Sequence, residues 1–191
     1  MNGMDDAAAV ARARAGDTEA FRLLVERHSH ALFRLACRMT GNEHDAEDVV
    51  QEALLKAYRS LDRFEDRSQV GSWLYRIAAN CAFDLLRSRQ RRGEQAALGA
   101  DDEDADGAMG VPSAAPDPER LALSEEVRRR VGSALARMSV RERSAFVLRH
   151  FEGFSIDEIG QALDMDASAT KQSVFRAVRK VRQVLAPVVE A

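Results

Sequence analysis

The sequence has 191 residues, of which 46% are hydrophobic, and a formal net charge of −3. This length allows one or two small domains, and the composition is sufficient for packed cores. No stretch approaches the length of a transmembrane helix, and the N-terminus lacks the apolar segment of a signal peptide. These features argue against the membrane-protein and secreted classes, so we expect a cytoplasmic protein with no direct membrane insertion.

The charge is unevenly distributed along the chain. Residues 93–119 contain 8 acidic residues and no basic residue, whereas residues 1–92 carry a net charge of +1 and residues 120–191 one of +4. The acidic segment is rich in Gly, Ala and Pro and has no apolar periodicity, which is typical of a flexible linker. We therefore predict an N-terminal domain at 1–92, a flexible acidic linker at 93–118 and a C-terminal domain at 119–191. Because the acidity is concentrated in the linker, the overall charge does not argue against nucleic-acid binding.

Both small domains are predicted to be all-α, because almost no segment alternates between apolar and polar residues as a strand does. In the N-terminal domain, Asp17 can cap a helix that ends near Thr40, with Gly41 just past its end. A second helix is expected at about 45–61 and a third at about 71–92. Each has apolar residues at helical spacing, which places one side in a core.

The second helix has an acidic outer face at its beginning. The outward residues there are Glu47, Asp48, Gln51 and Glu52. The helix dipole favours acidic side chains near an N-terminus, so this face suits either ordinary solvation or partner binding. Periodicity alone does not choose between the two.

The third helix carries a polar face that ends in a cluster of arginines. The polar residues that recur at spacings of three and four are Arg76, Asn80, Asp84 and Arg87. Basic residues at a helix C-terminus also interact favourably with the dipole. The four arginines between 87 and 92 exceed what the dipole needs and suit contacts with phosphates. The core side is predicted to contain Trp73, Leu74, Ile77, Cys81, Leu85 and Leu86.

The cysteines and histidines do not form a recognisable metal site. Cys37 and Cys81 both fall on apolar helix faces, so we expect buried free thiols and not a disulfide. His28 lies on the apolar stripe of the first helix and is expected to be a core or boundary residue. With His30 and His44 added, the spacing still fits no standard zinc pattern. We therefore predict no metal and no cofactor.

Capping signals mark the first two helices of the C-terminal domain. Asp117 and Pro118 are a strong start signal, with Asp117 as the cap and Pro118 as the first helical residue. Ser139 and Glu142 have capping-box spacing and open the next helix, which ends near Gly153.

The stretch 155–185 is predicted to form two helices joined by a very short break. Ser155 and Glu158 again have capping-box spacing, and Asp166 or Ser168 can cap the second helix. A short helix, a tight turn and a longer basic helix match the helix-turn-helix, whose second helix enters the major groove of DNA. The alternative is a small helical bundle with a solvated basic helix. The polar side of the second helix carries Lys171, Gln172, Phe175, Arg176, Arg179, Lys180 and Arg182.

Three segments, in this order and around the linker, carry a resemblance to a known family. They are DAEDVVQEALLKAYRSLDRF at 45–64, GSWLYRIAANCAFDLLRSRQR at 71–91, and the stretch 138–182 that contains the helix-turn-helix. Together they resemble the bacterial RNA polymerase sigma factors of the extracytoplasmic-function (ECF) group of the sigma-70 family. The resemblance covers nearly everything from 16 to 185 except the linker.

The resemblance implies a non-catalytic sigma factor that binds core RNA polymerase and directs it to promoters in a stress or envelope response. The second helix would dock on the polymerase clamp helices through Asp45, Glu47, Asp48, Gln51 and Glu52. The third helix and the preceding loop would open the −10 element and hold an unstacked base through Phe64, Arg76, Asn80, Asp84 and Arg87. The C-terminal domain would read the −35 element through Ser168, Lys171, Gln172, Phe175, Arg176 and Arg179. An anti-sigma factor is a further expected partner.

The chemistry of these side chains agrees with such roles. An unstacked base needs an aromatic or apolar wall and a side chain that hydrogen-bonds to its edge, and Asn80 offers both a donor and an acceptor. Lys, Gln and Arg can reach major-groove base edges or phosphates, and Phe can touch a thymine methyl group. Phe64 is equally compatible with packing in the core at a helix end. The acidic linker suits either a nucleic-acid mimic in the polymerase channels or ordinary solvated disorder.

Three other classes of protein compete with this interpretation. A stand-alone helix-turn-helix regulator would bind duplex DNA without needing the N-terminal domain. An enzyme lacks support, because the sequence has no phosphate-binding glycine loop, metal signature or nucleophile–base motif. A pure helical scaffold would leave the basic recognition helix unexplained.

Overall fold

The computed structural model describes residues 5–64, 69–96 and 118–189. Strands are absent from these ranges, which confirms the all-α prediction. The chain divides into two compact units, one ending at Leu85 and the other beginning at Leu86. The elements are α1 (Asp6–Arg14), α2 (Thr18–Thr40), α3 (Glu43–Arg59), a 3₁₀ turn (Leu61–Arg63), α4 (Val70–Ala96), α5 (Pro118–Ala136), α6 (Val140–His150), α7 (Ile156–Leu163) and α8 (Ala167–Val189).

The boundaries of α2 are those that the capping signals predict. Asp17 Oδ1 accepts a hydrogen bond from the Ala20 amide at 3.2 Å. At the other end Gly41 adopts a left-handed conformation with φ of 75°, and its N–H donates to the Cys37 carbonyl at 2.8 Å. A residue without Cβ adopts this conformation at low energetic cost, so the helix stops there.

Three elements of the first unit differ from the sequence prediction. α1 is unpredicted, because its alanine-rich sequence shows no amphipathic stripe; Asp5 caps it by accepting from the Ala8 amide at 2.7 Å. α3 begins earlier than expected, since Asn42 is its cap and accepts from the Asp45 amide at 3.0 Å. α4 continues to Ala96, into the start of the predicted linker. Residues 97–117, which include Asp117 and most of the predicted linker, lie outside the described residues.

The first unit is built around α2, which packs along α3 on one side and against α1 on the other. Leu32, Leu35 and Met39 of α2 are fully buried in its core. α1 is fixed to α2 by Asp6, whose two carboxylate oxygens each lie 2.8 Å from a nitrogen, one of Arg27 and the other of His28. His28 is half-buried in this contact, which confirms the prediction of a boundary histidine.

The second unit is built around α8, against which α5, α6 and α7 all pack. Its hydrophobic cluster consists of Ala134, Leu135, Met138, Phe146, Ala177 and Val181. Both predicted capping boxes are present with reciprocal hydrogen bonds, one formed by Ser139 and Glu142 and one by Ser155 and Glu158. Among the helices within the described ranges, none has the length and apolarity needed to cross a bilayer.

A buried carboxylate connects α6 with α8. Glu142 closes the capping box by accepting from the Ser139 amide at 3.1 Å, and the same oxygen accepts from Lys180 Nζ at 2.6 Å. Burial alone would raise the pKa of Glu142, but the hydrogen bonds from Lys180 and Ser139 outweigh it and lower the pKa below its usual value. The carboxylate therefore stabilises the fold in its ionised form.

We predict that Glu142→Gln lowers the free energy of unfolding by about 1–3 kcal/mol, because it removes a buried charged hydrogen-bond acceptor. The native pKa is depressed, so this stabilisation is present above about pH 4.5, the unfolded value, and is lost as the pH falls through the lower native pKa. Urea denaturation between pH 3 and 7 measures both effects. Glu19→Gln, which breaks only the exposed pair with Arg22, is the matched control and is expected to change stability by less than about 0.5 kcal/mol.

Candidate nucleic-acid and polymerase interfaces

α7 and α8 form a helix-turn-helix whose turn is fixed by a close backbone approach. α7 ends at Leu163, the following residue Asp164 adopts a left-handed conformation with φ of 50°, and the Met165 amide donates to the Gly160 carbonyl at 2.9 Å. A Cβ at Gly160 would lie 2.7 Å from the Met165 carbonyl oxygen. A side chain here would force the backbone of the turn to shift, so the glycine allows the chain to turn tightly over the end of α7.

The start of α8 is fixed by side chains that the sequence only partly identifies. Asp166 is the cap, because its Oδ1 accepts from the Ala169 amide at 2.8 Å. Thr170 is fully buried and donates its hydroxyl to the Asp166 carbonyl at 2.8 Å. Ala177 and Val181 are buried further along the same helix. These contacts set the rotation of α8 about its axis and so determine which side chains face outward.

The predicted −35 set lies on the exposed side of α8. All six residues are exposed: Ser168, Lys171, Gln172, Phe175, Arg176 and Arg179. Phe175 is 70% exposed, which is unusual for a large aromatic side chain and is typical of a surface that a partner covers. The exposed side of α8 therefore presents cations, an amide and an apolar ring together, and these side-chain types can contact base edges and methyl groups in a major groove.

A groove of about 780 Å³ adjoins this face. Ile156, Val174 and Val178 contribute apolar side chains to it, and Arg149 and Arg182 contribute charge. Burial and the neighbouring Arg149 lower the pKa of His150, which also lines the groove, so this imidazole is neutral near pH 7. The positive charge of the groove therefore comes from arginine and lysine.

The structure shows the predicted acidic face on α3, but one of its five predicted residues is not exposed. Glu47, Asp48, Gln51 and Glu52 are exposed. Asp45 is only 2% exposed and lies in the first turn of α3, so its assignment to an exposed docking face is wrong. The reason is its position on the inner side of α3, which it shares with the buried residues Ala46, Val49 and Ala53. 

Two exposed apolar residues extend this acidic face toward the C-terminus of α3. Leu55 is 51% exposed and Tyr58 is 45% exposed. They follow Asp48 and Gln51 at alternating spacings of four and three, so these positions share one side of the helix. The Tyr58 ring packs edge-on against Phe21 of α2 at a centroid distance of 4.9 Å. Sequence reasoning missed this pair, although the same spacing contained the signal.

The polar face of α4 is also present. Asn80, Asp84 and Arg87 are exposed, and Arg76 is half-buried. The core side is rotated relative to the prediction: Leu74 and Cys81 are buried, but Ala78, Ala82 and Phe83 join them, while Trp73 and Ile77 are only partly buried.

Phe64, for which the sequence leaves both core packing and base contact open, is buried, whereas Trp73, which is expected in the core, is only partly buried. Phe64 is 5% exposed and therefore cannot stack on a base where it lies; core packing is the correct interpretation. Its ring contacts that of Trp73 at a centroid distance of 5.0 Å. Trp73 precedes Asn80 by about two helical turns and therefore lies on the same side of α4. The predicted loop between them falls largely in 65–68, outside the described residues.

The cysteines are free thiols, as predicted. Cys81 is buried and Cys37 half-buried, and burial raises the pKa of both thiols. They are therefore protonated at neutral pH and poor nucleophiles. In the part of the chain that the structure describes, no three His, Cys, Asp or Glu side chains form a group that could hold a metal ion.

Family comparisons agree with this two-part arrangement of surfaces. The family model of Sigma-70 region 2 matches residues 24–92, which contain the faces of α3 and α4. The family model of Sigma-70, region 4 matches residues 128–181, which contain the helix-turn-helix. Each of the two matched ranges therefore corresponds to a region of the sigma-70 family, and the second range contains the helix-turn-helix.

Full-length relatives give the same result. The chain is 35% identical over 189 residues to the ECF RNA polymerase sigma-E factor of Escherichia coli (strain K12), with 97% of each chain covered. It is 33% identical over 178 residues to the RNA polymerase sigma-H factor of Pseudomonas aeruginosa, with 93% of this chain and 92% of the relative covered. The chain belongs to the ECF group of RNA polymerase sigma factors, which are non-catalytic transcription initiation factors.

A solved structure supports the same family. The structure of CnrH in complex with the cytosolic domain of CnrY is similar to this chain with a TM-score of 0.61 at 27% identity. The match covers 95% of this chain and 97% of that chain.

We predict that Gly160→Ala destabilises the second unit by about 1–3 kcal/mol, because the new Cβ meets a backbone oxygen that cannot move aside without opening the turn. Gly132→Ala in α5 is the matched control, since a Cβ there meets nothing within 4 Å. Alanine is the better helix former, so the control is expected to be neutral or up to about 1 kcal/mol more stable. Chemical denaturation followed by circular dichroism measures both; equal stability of the two variants would contradict the close approach at Gly160.

Proposed function

We propose that this chain binds core RNA polymerase in the cytoplasm and directs it to a specific set of promoters, in response to stress or to a signal from the envelope. The observation that carries the proposal is the pairing of two surfaces in one sigma-family chain. An acidic helix face lies in the region 2 match, and an exposed cationic recognition helix lies in the region 4 match. A stand-alone DNA-binding regulator would not need the first surface.

We assign polymerase docking to the exposed face of α3, without Asp45. Glu47, Asp48, Gln51 and Glu52 supply acidic and amide groups, and Leu55 and Tyr58 supply adjacent apolar area. A patch that combines exposed aromatic and aliphatic side chains with charge is typical of a protein interface. Its negative charge disfavours a nucleic-acid partner and favours a basic protein surface.

We assign −10 recognition to the polar stripe of α4, formed by Arg76, Asn80, Asp84 and Arg87. Asn80 can hydrogen-bond to the edge of an unstacked base. Phe64 is buried, so we propose that the partly exposed Trp73, on the same side of α4 as Asn80, contacts the face of the base instead. Arg87 is exposed further along and can contact phosphate. Phe64 supports this site from within the core.

We assign −35 recognition to the exposed side of α8, formed by Ser168, Lys171, Gln172, Phe175, Arg176 and Arg179. The helix-turn-helix geometry supports insertion of this helix into the major groove.

We also propose the three-part organisation 1–92, 93–118 and 119–191, with α4 continuing to Ala96. CnrH is bound to the cytosolic domain of CnrY in its solved structure, and we propose that an anti-sigma factor likewise regulates this chain.

Charge reversal on α3 tests polymerase docking. We expect Asp48→Arg with Glu52→Arg to weaken binding to core polymerase by a factor on the order of ten or more, because interfacial charge pairs become repulsive. Fluorescence titration of labelled sigma factor with core enzyme measures the affinity. The control is Glu19→Arg with Glu26→Arg, the same charge change at exposed positions of α2. Unchanged affinity in the α3 variant would remove this face from the interface.

Separate alanine substitutions test the division of labour between α4 and α8. We expect Arg176→Ala to reduce holoenzyme binding to −35-dependent promoters about five- to hundred-fold, the loss that follows from one bidentate base contact, and to leave a pre-melted −10 template usable. We expect Asn80→Ala to allow closed-complex formation but to impair promoter opening. Holoenzyme binding and permanganate footprinting on duplex and pre-melted templates distinguish the two. Identical failure of both variants on both templates would contradict the assignment.

A further inference from the structure

Arg14 of α1 reaches across the first unit to the segment that ends at Phe64. Its Nε donates to the Leu61 carbonyl at 2.8 Å, and its Nη2 donates to the Phe64 carbonyl. Its guanidinium carbon also lies 5.8 Å from the centroid of the Phe64 ring. Two of these three contacts hold the backbone and the ring of Phe64, and the third holds the backbone of Leu61; Arg14 lies about fifty positions earlier in the sequence.

The guanidinium is suited to this task. The planar fork of an arginine can donate to two carbonyl groups at the end of a helical turn at once. Leu61 also accepts from the Phe64 amide at 3.1 Å, so the turn and Arg14 share one acceptor. A guanidinium over an aromatic face adds a cation–π attraction. 

Phe64 in turn contacts Trp73, which lies three residues before Arg76 on α4. The ring centroids are 5.0 Å apart, Phe64 is buried, and Trp73 is partly exposed. A continuous line of contacts therefore runs from Arg14 through Phe64 to Trp73, and it ends on the side of α4 that carries Asn80. The opposite end of α1 is held separately, by Asp6 with Arg27 and His28.

We propose that Arg14 is a positioning residue for −10 recognition: it fixes Phe64, and Phe64 fixes the Trp73 ring on the side of α4 that carries Asn80. The inference rests on the proposed function of the α4 stripe and adds to it a residue of α1 that touches no DNA. The position of a ring that stacks on a base must be fixed to within a fraction of an ångström. Loss of the residues that support the ring therefore weakens binding of the −10 base even though the ring itself is still present.

The first experiment reads the position of Trp73 directly. Trp73 is the single tryptophan of the chain, so tryptophan fluorescence reports on the surroundings of this residue alone. In the free protein well below its melting temperature, we expect Arg14→Ala to shift the emission to longer wavelength and to increase quenching by acrylamide. Arg14→Lys, which retains the charge but not the fork, is expected to lie between Arg14→Ala and the wild type. Arg12→Ala is the control on the same helix, because Arg12 pairs with Asp17 at the surface.

The second experiment measures −10 binding by the assembled holoenzyme. The probe is a fluorescent single-stranded oligonucleotide that the wild-type holoenzyme selects from a pool randomised over the −10 element. We expect Arg14→Ala to bind it on the order of ten-fold more weakly, Arg14→Lys to recover part of the loss, and Arg12→Ala to match the wild type. Affinity for core polymerase and for a duplex −35 fragment is expected to stay within about two-fold of the wild type.

The outcomes separate the possibilities. Unchanged Trp73 fluorescence in Arg14→Ala, or changed fluorescence with unchanged oligonucleotide affinity, would overturn the proposal while leaving the α4 site intact. Parallel loss of melting temperature, core binding and oligonucleotide binding would overturn it in favour of a purely structural role. If the wild-type holoenzyme selects no −10 sequence, the proposed function of α4 fails, and the role of Arg14 fails with it.

Discussion

In each unit one long helix buries one side in the core and exposes the opposite side to partners, and this requirement determines which residues lie on the surface. α8 buries Ala177 and Val181 in the core while it exposes Phe175 and Arg176 on its other side. α4 likewise buries Leu74 and exposes Asn80. Because side chains on a helix are separated by fixed angles, the rotation that completes the core also decides which residues a partner meets.

Polar and steric contacts at the ends of the elements set that rotation. Glu142 joins the start of α6 to Lys180 on α8, and Gly160 permits the tight turn before α8. In the first unit, Arg14 holds the end of the 3₁₀ turn beside the start of α4. Hydrophobic burial is non-directional, so it can hold a helix in place without fixing its rotation; directional hydrogen bonds and a backbone contact supply what burial lacks.

The sign of the exposed charge separates the partners. The exposed start of α3 is acidic, whereas the outer side of α8 is rich in lysine and arginine. A protein that binds both a polymerase and DNA has to prevent each surface from binding the wrong partner. The acidic face of α3 repels the negatively charged phosphates of DNA, whereas the basic side of α8 attracts them. The formal net charge of −3 conceals this division, since it sums segments of opposite sign.

The sequence by itself determined the all-α class, the ends of α2, both capping boxes and the order of the three family segments, because caps and periodicity are local signals within one or two helical turns. Only the tertiary structure decided that Asp45 and Phe64 are buried and that Trp73 is partly exposed. Apolar periodicity locates a core face only to within the angle between neighbouring side chains. The final rotation depends on partners distant in sequence, such as Arg14 for Phe64, and no local pattern encodes them.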